Sequence, residues 1–292
     1  RGSKPVMWSP VEKTALAEAE VEYEDIVSTQ IDVGFEIVES PIAELDGASA
    51  IIWTTTPWTI PVNQAIAYGP DIDYVCVKLL GDDMGGEARA LVAVALLPAF
   101  KERLRRQVGA KTELVEVPFW NGKGSDLAGT IVRHPMHKLG GFFAKPRPFL
   151  AGDFVTTETG TGLVHMAPDH GEDDFLLCKA HGIDPVFAVE GDGKYRADWL
   201  WLGGQGNVIA PKLNAPDGPI CTDLREAGAL LAASADYAHS YPHSWRSKKK
   251  VIFRCTPQWF IPMDKRSTSE NRWEGEGGSV ADEHDKPMLE GL

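Results

Sequence analysis

Residues 129–168 carry three short runs, GTIVRHP (129–135), RPFLAGDFV (147–155) and GTGLVHMAP (160–168), each apolar at its centre and bounded by glycine or proline. Together with TELVEVPFW (112–120), this punctuation predicts short strands in a compact β-rich barrel or sandwich with inserted helices. Upstream, VEYEDIVSTQIDVGFEIV (21–38) is rich in β-branched and aromatic residues, the composition of strands. SAIIWTTT (49–56) and YVCVKLL (74–80) read as strands flanking a loop. ARALVAVALLPAFKERLRRQVG (88–109) starts as a buried apolar run and turns into an amphipathic helix ending at Gly109.

Three further helices are expected. EKTALAEA (12–19) collects good helix formers; DDFLLCKAHG (173–182) reads as a helix closed by Gly182; CTDLREAGALLAAS (221–234) reads as another, with Thr222 or Asp223 as N-cap. KKVIFRCTPQWFIPM (249–263) is again strand-like. From Lys265 onward the chain is polar, glycine-containing and without periodicity, so residues 265–292 are expected to form a poorly ordered tail behind a domain of residues 1–264.

The chain has 292 residues, 43% of them hydrophobic, which is enough to bury a substantial core. No uncharged apolar run approaches the ~18 residues of a membrane helix, and RGSKPVMWSP at the start lacks a signal peptide's apolar stretch. A soluble, cytoplasmic protein with no membrane partner is the expectation. Cys76, Cys178, Cys221 and Cys255 are scattered without C-x-x-C spacing, so neither a disulfide framework nor a thiolate zinc site is encoded. The net charge of -13 works against a general nucleic-acid binder, because non-specific affinity comes mainly from neutralising phosphates. Any such contact must be local, and WRSKKKVIFR (245–254) is the candidate, although a basic run is most simply a solvated face.

Three places hold more chemistry than structure alone requires. WTTTPWTIP (53–61) packs four threonines and two tryptophans into nine residues. Threonines in a strand usually face solvent or backbone, but the proline interrupts the ladder, so these hydroxyls should sit where a strand breaks open and lines a pocket. VHMAPDHGEDDF (164–175) gathers His165, Asp169, His170, Glu172, Asp173 and Asp174 in a spacing that matches no zinc motif, and no metal is expected. A carboxylate acting as base or anchoring a cationic group is the other reading. In HSYPHSWR (239–246), Pro242 argues against a helix, so His239 and His243 need not share a face.

In order along residues 4–264, KPVMWSPVEKTALAEAEVEYED, IIWTTTPWTIPVNQAIAYGPDIDYV, GTGLVHMAPDHGEDDF and HSYPHSWRSKKKVIFRCTPQWFI resemble the editing domain, or connective peptide 1, of the isoleucyl-tRNA synthetases, in the class I aminoacyl-tRNA synthetase family. The valyl and leucyl families share the threonine loop and the aspartate, but the first and last stretches look isoleucyl. The resemblance implies a β-rich α+β fold: a β-barrel-like core, peripheral helices, and an antiparallel stem formed by the chain ends. It implies a hydrolase that deacylates mischarged valyl-tRNA(Ile), and possibly valyl-adenylate, without a cofactor. An editing site exists because a hydrophobic pocket gains only about 1–3 kcal/mol from one methylene, a general figure whose standard illustration is this same isoleucine and valine pair.

By the same resemblance Asp174 holds the α-ammonium of the misattached amino acid, and Thr54, Thr55 and Thr56 bind the ester and position water. Trp58 and Thr59 shape the pocket's end, and His165 and His170 lie at the substrate. Gly160 and Gly162 let backbone approach it. The implied partners are the acceptor end of tRNA(Ile) and the remaining catalytic domain, with the chain itself a monomer. The two ATP-binding signatures of the class are missing, so the chain is not expected to activate amino acids. KRSTS (265–269) matches the class's lysine-serine loop only superficially, and the tail departs from the helical continuation of the family. Two alternatives stand beside this reading: a module that binds the tRNA 3′ end without cleaving it, and a valyl-type editing domain acting on threonyl esters.

Overall fold

The computed structural model describes residues 2–80, 88–108 and 115–259. The expected tail, residues 265–292, and the helix end at Gly109 lie outside them. The organising element is strand β3 (Val21–Glu39), which follows β1 (Gly2–Ser9) and the two-residue β2 (Thr14–Ala15). Alternation gives β3 two characters. Ile31, Val33, Phe35 and Ile37 are fully buried on the core side, whereas the first half is largely exposed.

Its neighbours are β4 (Ser49–Thr54) on one side and, on the other, β9 (Ile131–Arg133) and the long β12 (Leu230–Ser244). The sheet also contains β5 (Ala65–Tyr68), β6 (Asp73–Leu80), β7 (Ala88–Ala93), β8 (Val115–Lys123), β10 (Pro146–Ala151) and β11 (Leu163–Met166). Its order is β11-β5-β10-β9-β3-β4-β7-β6-β8, with β12 added on β3. Only β10–β5 and β4–β7 run parallel among these pairs. The sheet curls: the Ala93 amide at the end of β7 donates to the Thr161 carbonyl just before β11 at 2.8 Å, and Tyr74 on β6 donates to the Gly162 carbonyl at 2.5 Å. This is the β-rich α+β core that the sequence predicts.

The stem is two antiparallel ribbons. β1 pairs with β13 (Ile252–Gln258) from Gly2 opposite Gln258 to Trp8 opposite Ile252, and the first half of β3 pairs with β12 up to Val21 opposite Ser244. Helix α1 (Leu97–Val108) seals the sheet's outer face by setting Phe100 and Leu104 against Ile51, Val75, Val77, Leu79 and Val92. Asp32 also points to that face, where Arg103 meets it through two 2.7 Å hydrogen bonds. Helices α2 (Glu172–Ala180), α3 (Pro211–Asn214) and α4 (Pro219–Glu226) complete the periphery. Among the described residues no helix is long and apolar enough to cross a membrane, and all four cysteines are buried and free.

Three local expectations are corrected. Residues 12–19 form no α-helix: Thr14 and Ala15 pair with the end of β1, and only a 3-10 turn, Glu18–Glu20, remains. Eight residues cannot meet the cost of helix nucleation without a packed face, and none of that turn is buried. Helix α4 starts at Pro219 with Gly218 as N-cap, not at Thr222 or Asp223. Proline's fixed φ suits the first helical position, and the Asp223 carboxylate instead accepts the Trp201 indole N–H at 2.6 Å. Gly228 (φ +73°) then turns the chain into β12, so LLAAS (230–234) is strand. Finally, His239 and His243 lie on β12, where a spacing of four puts them on one face.

Candidate functional site

β4 ends at Thr54, and Pro57 opens a 3-10 turn, Pro57–Val62, whose six residues are all buried. The break is made by hydroxyls. Thr54 Oγ1 accepts the Thr56 amide at 3.1 Å, and the Thr56 carbonyl takes both the amide (3.0 Å) and the hydroxyl (2.8 Å) of Thr59. The scaffold holds three of the turn's carbonyls and that of Asn63 just after it. Tyr195 donates to Trp58 O, His134 Nε2 to Ile60 O at 2.9 Å, Trp199 to Pro61 O at 3.3 Å and Arg147 to Asn63 O at 2.8 Å. His134 Nδ1 accepts the Met136 amide, and burial pushes its pKa down to about 3, so it works as a neutral donor. Arg147 is buried on three carbonyls, those of Asn63, Lys145 and Phe142. These partners stabilise the turn, because an unmade buried hydrogen bond is costly.

Strand β11 brings His165 to the same place, its Nε2 3.0 Å from Thr59 Oγ1. Since the Thr59 proton goes to Thr56 O, Nε2 must carry the imidazole proton and Nδ1 the lone pair. That Nδ1 is buried with no hydrogen-bond partner. Burial, then the neighbouring His170, pushes the His165 pKa down to about 4, which keeps it neutral. Thr54, Thr56, Thr59 and His165 thus form one chain, with hydroxyl separations of 3.1 Å (Thr54 to Thr56) and 3.5 Å (Thr56 to Thr59).

Beyond β11 the loop closes on Asp174, in the first turn of α2, whose carboxylate accepts the Ala167 amide at 2.7 Å. The carboxyl carbon comes so near Gly171 that a Cβ there would sit 2.7 Å from it. Burial pushes the Asp174 pKa up to about 7. Asp169 and His170 do structural work. The Asp169 carboxylate accepts the Val186 and Phe187 amides at 2.8 and 2.6 Å, and His170 Nδ1 donates to Phe253 O on β13 at 2.7 Å. The His170 ring meets Trp58 edge-on, centroids 4.7 Å apart.

A cavity of about 240 Å³ opens beside the threonine turn, with Thr55, Thr56, Trp58, Asn214, Tyr241 and Lys250 on its wall. Of the predicted site residues, Thr55, Thr56 and Trp58 are there, and Thr54, Thr59 and His165 stand behind them in the hydroxyl chain. Asp174 and His170 are not on that wall. The two glycines approach the protein itself. A Cβ on Gly162 (φ +78°) would sit 2.4 Å from Ala93 Cβ, and Gly160 (φ +86°) lies over Trp53 with its carbonyl 3.2 Å from Arg103 Nη2. Among the described residues no group of three His, Cys, Asp or Glu side chains is placed to hold a metal ion. Sequence reasoning missed Asn214, which accepts the Trp58 amide, and Tyr241; the basic run was the only signal for Lys250.

Residues 1–273 match the family model described as tRNA synthetases class I (I, L, M and V). The chain is 64% identical over 265 residues to the isoleucine–tRNA ligase of Zymomonas mobilis subsp. mobilis, covering 91% of this chain and 27% of that protein. It is 46% identical over 277 residues to that of Gluconobacter oxydans, covering 90% and 28%. The chain therefore spans little more than a quarter of the length of these relatives. Among solved structures, the editing domain of P. knowlesi cytosolic leucyl-tRNA synthetase aligns at TM-score 0.38 and 12% identity, over 51% of this chain and 61% of that one.

Proposed function

The chain belongs to the class I tRNA synthetases of the isoleucine, leucine, methionine and valine group, and from that premise we propose that it is an editing domain that hydrolyses the ester of valyl-tRNA(Ile). The observation that carries this reading is the chain Thr54–Thr56–Thr59–His165, rigidly held and reaching the wall of a cavity through Thr56. A fixed row of hydroxyls can orient an ester carbonyl and an attacking water without a nucleophilic side chain, so catalysis comes from positioning. Neutral His165 supports that row by donating to Thr59. Thr55 and Trp58 shape the wall.

Asp174 is proposed as the anchor of the substrate's α-ammonium. Its carboxylate accepts the Ala167 amide and its own backbone amide, and faces no cation among the described residues. A cation within reach favours the ionised form and offsets the burial that now raises its pKa. The proposed partners are the tRNA acceptor end and the rest of the synthetase, reached through the stem ribbons. No cofactor takes part in this reading.

The test is deacylation of pre-formed valyl-, isoleucyl- and threonyl-tRNA by this chain. Selective loss of valine is expected, and Thr56→Val should slow it on the order of a hundredfold, the scale for removing one positioned polar group from a reacting centre. Preference for the threonyl ester would move the domain to the valyl type. No cleavage of any ester by the folded chain would overturn the hydrolytic reading in favour of a binding module.

A further inference from the structure

Lys250 lies just past the turn that joins β12 to β13, its backbone bridged to His243. It belongs to the basic run 245–254, in which Lys248 pairs with Glu22, Arg246 lies over Trp245, Arg254 covers Trp8 and donates to Val189 O at 2.8 Å, and Lys249 is exposed. Lys250 differs. It is half-buried, its ammonium is 5.4 Å from the centroid of the Tyr241 ring, and among the described residues no carboxylate lies within ion-pair distance. It is also the one lysine or arginine on the wall of the cavity that holds Thr55, Thr56 and Trp58, among the described residues.

A half-buried ammonium facing one ring and, among the described residues, no anion is incompletely compensated, and burial lowers its pKa accordingly. Its charge in turn acts on His239, the next ring along the strand. The two-residue period of β12 sets Tyr237, His239 and Tyr241 in a row, with centroids 5.3 and 5.6 Å apart, and Trp53 meets Tyr237 at 5.1 Å. A cation beside a row of half-buried rings is the arrangement that takes a single-stranded nucleic acid: rings offer faces to bases, and the cation pairs with the backbone.

We propose that Lys250 seats a phosphodiester of a single-stranded RNA end in this cavity, with Tyr241 and His239 as the adjoining platform for its bases. The identity of that strand as the tRNA 3′ end rests on the editing reading above. The seat itself is a statement about phosphodiester chemistry.

The experiment measures binding of the RNA trinucleotide CCA to this chain over a range of salt, beside CCA with neutral methylphosphonate linkages and beside inorganic phosphate. Lys250→Gln is expected to weaken CCA binding about tenfold and to make the slope of log K against log salt shallower by about 0.7, one phosphate contact on a single strand. Lys250→Arg should stay within about threefold of the parent, and the neutral analogue should not distinguish parent from Lys250→Gln. Should Lys250→Gln fail to fold, preference of the parent for CCA over the neutral analogue still decides the matter. An unchanged affinity and slope in the folded Gln variant, no binding of CCA by the parent, or inorganic phosphate competing as well as CCA would each overturn the proposal. Lys250-dependent binding of CCA by a chain that cleaves no valyl ester would overturn the hydrolytic reading and leave the seat standing.

Discussion

Two carboxylates are drawn into this protein at two different helices, one beneath α1 and one in the first turn of α2, and they are treated differently. Asp32, on β3 under α1, is 1% exposed and receives both arms of Arg103 at 2.7 Å, so although burial pushes its pKa up, the guanidinium pulls it back. Asp174, at the start of α2, meets no cation among the described residues; its partners are backbone amides, those of Ala167 and of Asp174 itself, and burial takes its pKa to about 7. The first arrangement spends a charge pair on fixing a helix to a sheet. The second leaves a carboxyl poised to titrate or to take a cation from outside, and strongly perturbed groups of that kind concentrate at functional sites.

The largest effect is expected where the comparison is broken on the Asp32 side. Arg103→Leu leaves the Asp32 carboxylate buried without a partner and should cost about 3–5 kcal/mol, read as a lower urea midpoint. Adding Asp32→Asn should recover a large part, since the stranded charge is then gone. A loss below about 1 kcal/mol in the single variant would show that apolar packing of Phe100 and Leu104, not the ion pair, fixes α1.

Asp174 should respond in the opposite sense. Its folded pKa stands near 7 against an ordinary 3.8, so between about pH 4 and 7 the folded state keeps a proton that the unfolded chain has lost. Stability from this group therefore falls as pH rises through that window, and the loss is complete above it. Asp174→Asn, which keeps an acceptor for the Ala167 amide, should be more stable than the parent by roughly 2–4 kcal/mol at pH 8 and equal to it near pH 4. Melting curves at the two pH values check the sign. The same carboxyl should make kcat/KM for valyl-tRNA(Ile) rise with pH through about 7 in the parent, and a flat profile there would remove Asp174 from ammonium binding.

A smaller effect separates the two flanks of the threonine turn. Thr59→Val removes the acceptor for His165 Nε2–H and the donor to Thr56 O, which should cost about 1–3 kcal/mol because both are buried. Thr55, which only lines the cavity, should tolerate valine within about 0.5 kcal/mol. Equal losses at the two positions would dissolve the distinction between a hydroxyl that holds the turn and one that faces the cavity.

The sequence showed the strands because their signals are local: β-branched residues between glycines and prolines mark β9, β10 and β11 without knowledge of their neighbours. The break at Thr54 was legible for the same reason, through Pro57. What sequence could not show was partnership across distance. Asn214 reaches Trp58 from 156 residues away, His134 supports Ile60 from 74, and nothing local in either residue announces it. His170 and Gly162, expected at the substrate, also make contacts that nothing local announces, His170 with Phe253 O on β13 and Gly162 against Ala93 on β7.

The smallest predicted effect tests a misreading of that local kind. Thr222 looks like an N-cap, yet the first turn of α4 is set by Pro219 behind Gly218, and the Thr222 hydroxyl makes a single 3.4 Å contact with Asp217 O. Thr222→Ala should therefore change stability by less than about 0.5 kcal/mol, whereas loss of a true cap costs typically ~1 kcal/mol. Gly218→Ala should do more, because its Cβ would fall 2.4 Å from Lys212 O. Chemical denaturation of both variants orders them. A larger loss at Thr222 would give that residue the role of an N-cap, four residues after Gly218, and restore the boundary that the sequence suggests.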